Sequence, residues 1–253
     1  MRIVQIGFVH IRHATSILKI GDREILIDPM LSAKESLPPV ILTGNKLKNP
    51  LTDLPVNPDT LVKTIDYLLL SHLHFDHFDQ KAIEIISKDL PVLCSKTDVR
   101  RLNDLGFLHT RPIENQFEIG GIKITGYPAT HGRGLLKFMM GSSSSYLIDY
   151  NGFKIFLTGD CLLTDSLKHN LIKTEPDVVI ANGGAAKFIF GKPITMSINE
   201  IQEISGLLPK SKIFVIHLDS LNHCSETRDY CRERVKNYPN IYIPTDGEEI
   251  ALS

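Results

Sequence analysis

The sequence predicts an α/β (α+β) fold in which two mixed β-sheets pack face to face, with helices on their outer sides. Two observations lead to this prediction. Short apolar runs bounded by turn residues recur along the 253 residues, and several of them are followed by a helical pattern, which gives repeated β-then-α units. In addition, the hairpin of residues 16–27, which delivers Asp28, is echoed by the hairpin of residues 145–157, which leads to Asp160.

The first half is expected to hold three strands, a long loop, and then alternating strands and helices. The strands are predicted at residues 3–6, 16–20, 24–27, 67–71 and 92–94, and the helices at residues 79–86 and 98–105. Asp79 is a suitable N-cap for the first helix, because its carboxylate can accept a hydrogen bond from a free backbone N–H. Residues 29–60 contain six prolines and little periodicity, which indicates a loop.

The second half is predicted to be richer in hairpins. Its strands are expected at residues 116–119, 122–127, 145–150, 154–157, 177–181, 212–216, 241–243 and 248–252. A helix should follow Asp160, another should lie near residues 226–236, and the capping box Ser197-Ile198-Asn199-Glu200 predicts a helix that runs to about Leu207. No linker interrupts the pattern, so residues 1–253 are expected to form a single domain, with the 29–60 loop near the mouth of any site.

Composition and charge exclude several classes of protein. The formal charge of −1 provides no basic surplus for a phosphate backbone, so long nucleic acid is not an expected partner. The four cysteines form no CxxC pair, which favours buried free thiols: Cys94, Cys161, Cys224 and Cys231. The sequence has neither a secretory signal pattern nor an apolar run of about 20 residues, so we expect a cytoplasmic protein without a transmembrane segment.

A histidine-rich turn is the strongest functional signal. The run His72-Leu73-His74-Phe75-Asp76-His77 places four candidate metal ligands within six residues, directly after an apolar strand. Imidazole nitrogens and a carboxylate suit zinc, manganese or iron. Asp76 and His77 alone could cap the following helix, but their proximity to His72 and His74 favours a metal site.

Three more candidates follow later strands. His131 comes after a predicted strand, Asp160 ends the sequence Thr-Gly-Asp, and His217 follows the strand at 212–216. Each has a simpler explanation, as a loop histidine or a turn residue. Asp219 is the other acidic residue at an equivalent strand exit in the second half. Of these two, we favour Asp160 as the candidate ligand.

In this order, the histidine-rich turn, His131, the Thr-Gly-Asp motif and His217 resemble the motifs of metallo-β-lactamase-fold hydrolases. The match spans most of the chain and implies a four-layer αββα sandwich. Within that superfamily, His13-Ala14-Thr15-Ser16, residues 26–30 and Thr195-Met196 resemble the branch that contains ascorbate-6-phosphate lactonase and the N-acylphosphatidylethanolamine phospholipase D enzymes.

The resemblance implies a site for two divalent metal ions, with zinc favoured and manganese, iron or nickel also suitable. One ion would be held by His72, His74 and His131. The other would be held by Asp76, His77 and His217, with Asp160 bridging both. A hydroxide shared by the ions would then be the nucleophile.

Three further residues are expected to assist. Asp28 is expected behind the ligands, where it would accept a hydrogen bond from a ligand imidazole, although it could equally cap the turn at Pro29. His13 and His223 are expected at the mouth, where an imidazole could stabilise an oxyanion or pass a proton to a leaving group; both could instead be structural. Asp76, Asp160 and His223 are therefore the predicted catalytic residues, with His13 and Asp28 as supporting ones.

The predicted function is a metal-dependent hydrolase that cleaves an ester, lactone or phosphodiester bond of a small anionic substrate. An RNA-processing nuclease is one alternative, but the stretch between Asp160 and His217 is too short for the inserted domain of some relatives. Di-iron redox relatives commonly have glutamate at the position of His74 and carry a flavin module. A metal-binding protein without hydrolytic activity is the remaining alternative, and the oligomeric state, monomer or homo-oligomer, is left open.

Overall fold

The computed structural model describes residues 6–134, 136 and 139–253 and contains two seven-stranded mixed sheets. The first sheet has, in spatial order, β14 (Glu248–Ala251), β1 (Ile6–Arg12), β2 (Thr15–Ile20), β3 (Arg23–Ile27), β4 (Tyr67–Leu69), β5 (Val92–Cys94) and β6 (Thr110–Pro112). The second has β13 (Ile241–Tyr242), β12 (Lys212–Ile216), β11 (Val178–Asn182), β10 (Phe153–Leu157), β9 (Ser143–Tyr150), β8 (Ile122–Ala129) and β7 (Gln116–Ile119).

Helices cover the outer faces of both sheets. They are α1 (Pro58–Leu61), α2 (Gln80–Ile85), α3 (Val99–Asp104), α4 (Asp165–Thr174), α5 (Ile198–Leu207) and α6 (Arg228–Arg234). Buried residues of α2 and α3 pack with the outer side of the first sheet, and those of α4 and α5 with the outer side of the second. In the described part of the chain, every helix is too short or too polar to cross a bilayer.

The two sheets face each other across one apolar core. Phe8 and Leu18 of the first sheet belong to the same buried cluster as Ile148 and Phe214 of the second. The rings of Phe8 and Phe214 lie 5.8 Å apart between centroids. Burial of apolar surface on both sides of each sheet requires this four-layer arrangement. The predicted sandwich of two mixed sheets with helices outside is therefore confirmed.

Each sheet combines antiparallel hairpins with parallel strands in the same order. In the first sheet, β2 and β3 are antiparallel and β3 is parallel to β4; in the second, β9 and β10 are antiparallel and β10 is parallel to β11. This is the repeat that the sequence indicated. Because parallel strands end at the same edge of a sheet, the residues that follow β3, β4, β10, β11 and β12 come together.

Local signals predicted several helix starts correctly. The Asp79 carboxylate accepts a hydrogen bond from the backbone N–H of Ala82 at the start of α2. Ser197 and Glu200 form the predicted capping box of α5, in which each side chain bonds to the other residue's backbone N–H.

The first strand extends further along the chain than predicted. Residues 1–5 lie outside the described residues, and β1 continues to Arg12. Arg12 interrupted the apolar pattern, yet its side chain is fully buried, because it donates hydrogen bonds to the carbonyl oxygens of Met30, Ser32 and Thr52. These bonds satisfy Nη1 and Nη2 of the guanidinium and hold the proline-rich loop against the sheet, while its buried Nε has no hydrogen-bond partner among the described residues. The short elements β6 and α1 were not predicted.

The proline-rich loop is also fixed at its far side by Asn222. The side-chain oxygen of Asn222 accepts hydrogen bonds from the backbone N–H of Val40 (3.0 Å) and from the Asn49 amide (3.1 Å). Its side-chain nitrogen donates to the Thr43 hydroxyl at 2.8 Å. The loop is therefore positioned by polar contacts rather than by strands, apart from a single bridge between Leu37 and Asn49.

Candidate metal centre

The candidate site lies at the edge where strands of both sheets end. The histidine-rich turn follows β4, His131 follows β8, Asp160 follows β10, and His217 follows β12. The structure thus brings together seven residues that span nearly 150 positions of the chain. All except His74 are buried. The seven residues are His72, His74, Asp76, His77, His131, Asp160 and His217.

Two groups of candidate ligand atoms are adjacent. In the first, nitrogen atoms of His72, His74 and His131 all lie within 4.8 Å of one another. Nδ1 of His131 donates to the carbonyl oxygen of Ile194 at 2.9 Å, which directs the lone pair of its Nε2 towards the group.

The second group contains Asp76, His77 and His217, and also His13. Nε2 of His77 and Nε2 of His217 are each 3.3 Å from Oδ1 of Asp160. Both nitrogens are buried, and neither has a hydrogen-bond partner among the described residues. A buried imidazole nitrogen without a partner is costly, and a bound cation would satisfy both.

Asp160 contacts both groups. Its Oδ1 faces His77 and His217, while its Oδ2 is 3.7 Å from Nε2 of His131. The amide of Asn182, the last residue of β11, donates to Oδ1 at 2.8 Å and fixes the carboxylate. This role of Asn182 was not predicted; its signal in the sequence is a polar side chain at the end of a buried strand.

Asp28 lies behind the second group, as expected. Its Oδ2 is 2.9 Å from Nδ1 of His77 and accepts a hydrogen bond from the Ser71 hydroxyl at 2.6 Å. The backbone N–H of Ser71 donates to its Oδ1 at 2.7 Å. His77 therefore has an aspartate at each ring nitrogen, Asp28 at Nδ1 and Asp160 at Nε2, one from each of the two equivalent hairpins.

His13 and His223 occupy different environments. The expectation that His13 lies at the mouth is wrong, because its side chain is 0% exposed and its Nε2 is 3.3 Å from Oδ2 of Asp76. The bulge that interrupts the pairing of β1 with β2 between His10 and Arg12 directs the chain inward at this point. His223 does reach the pocket in front of the metal groups.

That pocket is small, with a cavity volume of about 160 Å³. Its polar side is formed by His74, Asp76, His131, Asp160 and His223. Its walls are apolar and come from Val40 of the proline-rich loop and from Phe75, Met140, Phe188 and Ile194. Neither lysine nor arginine is among the described residues that line it.

The charges of the site favour cations. Burial alone raises the pKa of Asp160, but His217 and His77 outweigh this effect and hold that pKa well below its usual range. Burial lowers the pKa of His77, but Asp160 and Asp76 outweigh it and raise the pKa to about 10. The carboxylates therefore create a negative potential that attracts protons to the imidazoles, and divalent cations would experience the same attraction.

The four cysteines are free, as the spacing indicated. Cys161, next to Asp160, is buried in the core beneath α4 and α5, where burial raises the pKa of its thiol. Cys224 is partly buried, with its sulfur 3.9 Å from Nδ1 of His217. The donor set of the site is therefore nitrogen and oxygen, which suits zinc, manganese or iron.

Comparisons with known proteins agree with this geometry. Residues 23–218 match the family model for the beta-lactamase superfamily domain. The UPF0173 protein YddR of Bacillus subtilis (strain 168) is 28% identical, over 96% of this chain and 98% of YddR. The UPF0173 metal-dependent hydrolase of Thermococcus onnurineus (strain NA1) is 23% identical, over 92% of this chain and 94% of the relative.

Solved structures are similar over almost the whole chain. A possible metal-dependent hydrolase from Veillonella parvula DSM 2008 superposes with a TM-score of 0.93 at 29% identity, covering 96% of this chain and 98% of that one. An isothiocyanate hydrolase from Delia radicum gut bacteria superposes with a TM-score of 0.92 at 28% identity, covering 97% and 98%. The narrower likeness to the lactonase and phospholipase branch stays a prediction. By its fold and its relatives, the chain belongs to the β-lactamase superfamily and is a metal-dependent hydrolase of the metallo-β-lactamase fold.

Proposed function

We propose that the protein hydrolyses a small substrate with water activated by two divalent metal ions. His72, His74 and His131 would hold one ion, Asp76, His77 and His217 the other, and Asp160 would bridge them. The contact of Asp160 with both groups, 3.3 Å to His77 and His217 and 3.7 Å to His131, carries this proposal. When bound, such a pair of ions lowers the pKa of water and polarises the bond under attack.

The protein's own residues supply negative charge, orient the candidate ligands and form a pocket with apolar walls. Asp76 and Asp160 stay ionised at neutral pH, because nearby imidazoles hold the pKa of each carboxyl well below its usual range. Asp28 and the Ile194 carbonyl oxygen hold His77 and His131 by their Nδ1 atoms. Orientation of ligands by such contacts raises metal affinity and fixes the geometry of attack.

His223 is the proposed proton carrier to the leaving group. Burial lowers the pKa of its imidazole to about 4, so the ring is neutral at pH 7. Its Nδ1 is buried without a hydrogen-bond partner among the described residues, while the side chain lines the pocket with Asp76 and Asp160. A neutral imidazole can donate a hydrogen bond to developing negative charge and exchange a proton in the same position.

The pocket favours an uncharged substrate with an apolar group and an electrophilic carbon. Its walls are apolar, its volume is small, and the described lining residues offer no basic side chain to an anion. Esters and lactones fit this description. Isothiocyanates fit it too, and the similar protein from Delia radicum gut bacteria is described as an isothiocyanate hydrolase. The anionic substrate expected from the sequence stays a prediction that these walls do not favour.

The test combines elemental analysis with a substrate panel. Protein purified without added metal should contain about two divalent ions per chain. It should hydrolyse at least one ester, lactone or isothiocyanate, lose that activity on chelation, and recover it when metal is returned. Full activity of metal-stripped protein would contradict the proposal. Two bound ions without turnover of any panel member would favour a metal-binding protein without hydrolytic activity.

Replacement of Asp28 tests the orientation of His77. In Asp28→Asn the acceptor at Nδ1 of His77 loses its charge, and the Ser71 hydroxyl loses a charged partner. We expect a loss of metal affinity of about 10- to 100-fold, measured by competition with a chromophoric chelator. Asp66→Asn, at a partly exposed ion pair with Arg23 far from the site, is the control. Equal affinity of Asp28→Asn and wild type would mean that Asp28 only caps the turn.

A further inference from the structure

We propose that His13 is a further protein ligand of the second metal ion, alongside Asp76, His77, His217 and the bridging Asp160. The inference rests on the proposed two-metal site and adds a residue that precedes the histidine-rich turn by about 60 positions. It assigns a ligand from the turn between β1 and β2, whereas Asp76 and His77 lie in the turn after β4 and His217 follows β12.

The distances within the group are within about 0.2 Å of those between ligands that share an ion. Oδ2 of Asp76 lies 3.3 Å from Nε2 of His13, 3.7 Å from Nε2 of His217 and 3.8 Å from Nε2 of His77. Neighbouring ligands on one zinc ion at about 2.0–2.2 Å lie roughly 3–3.6 Å from one another. Three imidazole nitrogens around one carboxylate oxygen therefore enclose a space suited to a cation.

A direct hydrogen bond explains the position of His13 less well. Charge-assisted N–H···O bonds to a carboxylate are usually about 2.7–2.9 Å long, and the contact of His13 with Asp76 is 3.3 Å. The ring of His13 also lies against that of His217, with centroids 3.7 Å apart and the ring planes tilted by 39°. Two imidazole rings this close in a buried site, both directed at Asp76, favour the binding of one shared metal ion by both.

The backbone supports the same conclusion. His13 has φ 58° and His217 has φ 67°, both in the left-handed region, and the N–H of His217 donates to the carbonyl oxygen of His13 at 2.9 Å. This conformation is strained for a residue other than glycine, and such strain is concentrated at functional sites. The backbones of these two histidines are joined by a hydrogen bond, and both are strained. This indicates that both imidazoles are required at these positions.

The experiment compares His13→Gln and His13→Asn with wild type. Glutamine can still donate a hydrogen bond to Asp76 but is a poor ligand for zinc, and asparagine tolerates the left-handed backbone while being too short to reach the ion. We expect both variants to bind about one ion per chain instead of two, with at least a 100-fold loss of affinity at the second site. His169→Gln, which removes an exposed histidine on α4, should still bind two ions.

Cobalt(II) substitution gives a readout that does not depend on turnover. Loss of a nitrogen ligand should change the visible absorption of the second cobalt ion added, whereas the first should keep its spectrum. Circular dichroism establishes that each variant is folded. Two ions bound with wild-type affinity and unchanged spectra in both variants would overturn the assignment of His13. Fewer than two ions in the wild type would instead contradict the proposed two-metal site itself, so the two failures are distinguishable.

Discussion

Asp160→Asn should lower kcat/KM for any substrate of the panel by at least about 10³-fold, because it removes the one carboxylate, among the described residues, that contacts both metal groups. The amide is nearly isosteric, so the fold should persist. Its neutral oxygen cannot balance two cations, and its NH2 group would face His77 or Asn182 unfavourably. Metal content should fall below two ions per chain together with the activity.

The control for this variant is Asp104→Asn, an exposed aspartate at the end of α3. It changes the net charge by the same amount and should leave turnover and metal content unchanged. Wild-type kcat/KM in Asp160→Asn would contradict the bridging role. A loss of activity with both ions retained would instead assign Asp160 a role in proton transfer.

Gly159→Ala should destabilise the protein by about 3 kcal/mol. Gly159 has φ 58°, and a Cβ built there would lie 2.6 Å from the backbone oxygen of Ser144 and 3.1 Å from Cβ of Ser71. The left-handed backbone costs alanine about 1–2 kcal/mol, and the displacement needed to relieve such a contact costs about 1–3 kcal/mol. Urea unfolding of the metal-free protein measures the change, and metal affinity should fall because Asp160 is displaced.

Gly120→Ala separates the two causes. Gly120 has nearly the same backbone angle, φ 54°, but a Cβ there would meet nothing within 4 Å. It should cost only about 1 kcal/mol, the contribution of the backbone alone. If the two variants lost equal stability, the close approach of Ser144 to Gly159 would have no energetic consequence.

The sequence predicted most strand ends because local chemistry determines them. Apolar runs followed within three residues by His or Asp located the ends of β4, β10 and β12 to within about two residues, and these are the positions that converge. Asp79 and Ser197 identified helix starts for the same reason, since a cap satisfies a backbone N–H within three residues. Periodicity and capping were sufficient for the order of strands and helices, whereas the four-layer sandwich and the full ligand set were implied by the resemblance to metallo-β-lactamase-fold hydrolases.

Long-range contacts explain what sequence analysis missed. Arg12 is buried because its side chain donates hydrogen bonds to three carbonyl oxygens of the proline-rich loop. The residues next to Arg12 in the sequence do not predict these contacts. Likewise, the depth of His13 depends on Asp76 and His217, which are remote in sequence. The amide of Asn182 is directed at Asp160 only once β10 and β11 lie side by side. Such contacts are properties of the assembled sheets.

The position of His77 between Asp28 and Asp160 has a consequence for folding. Asp28 extends from the first sheet and Asp160 from the second, so one imidazole spans the seam between the two halves of the sandwich. Cations bound by ligands from both halves would stabilise the contact between them. The free energy of unfolding would then increase with the ratio of the free metal concentration to its dissociation constant. Loss of metal would thus lower the stability of the contact between the two sheets as well as abolish the activity.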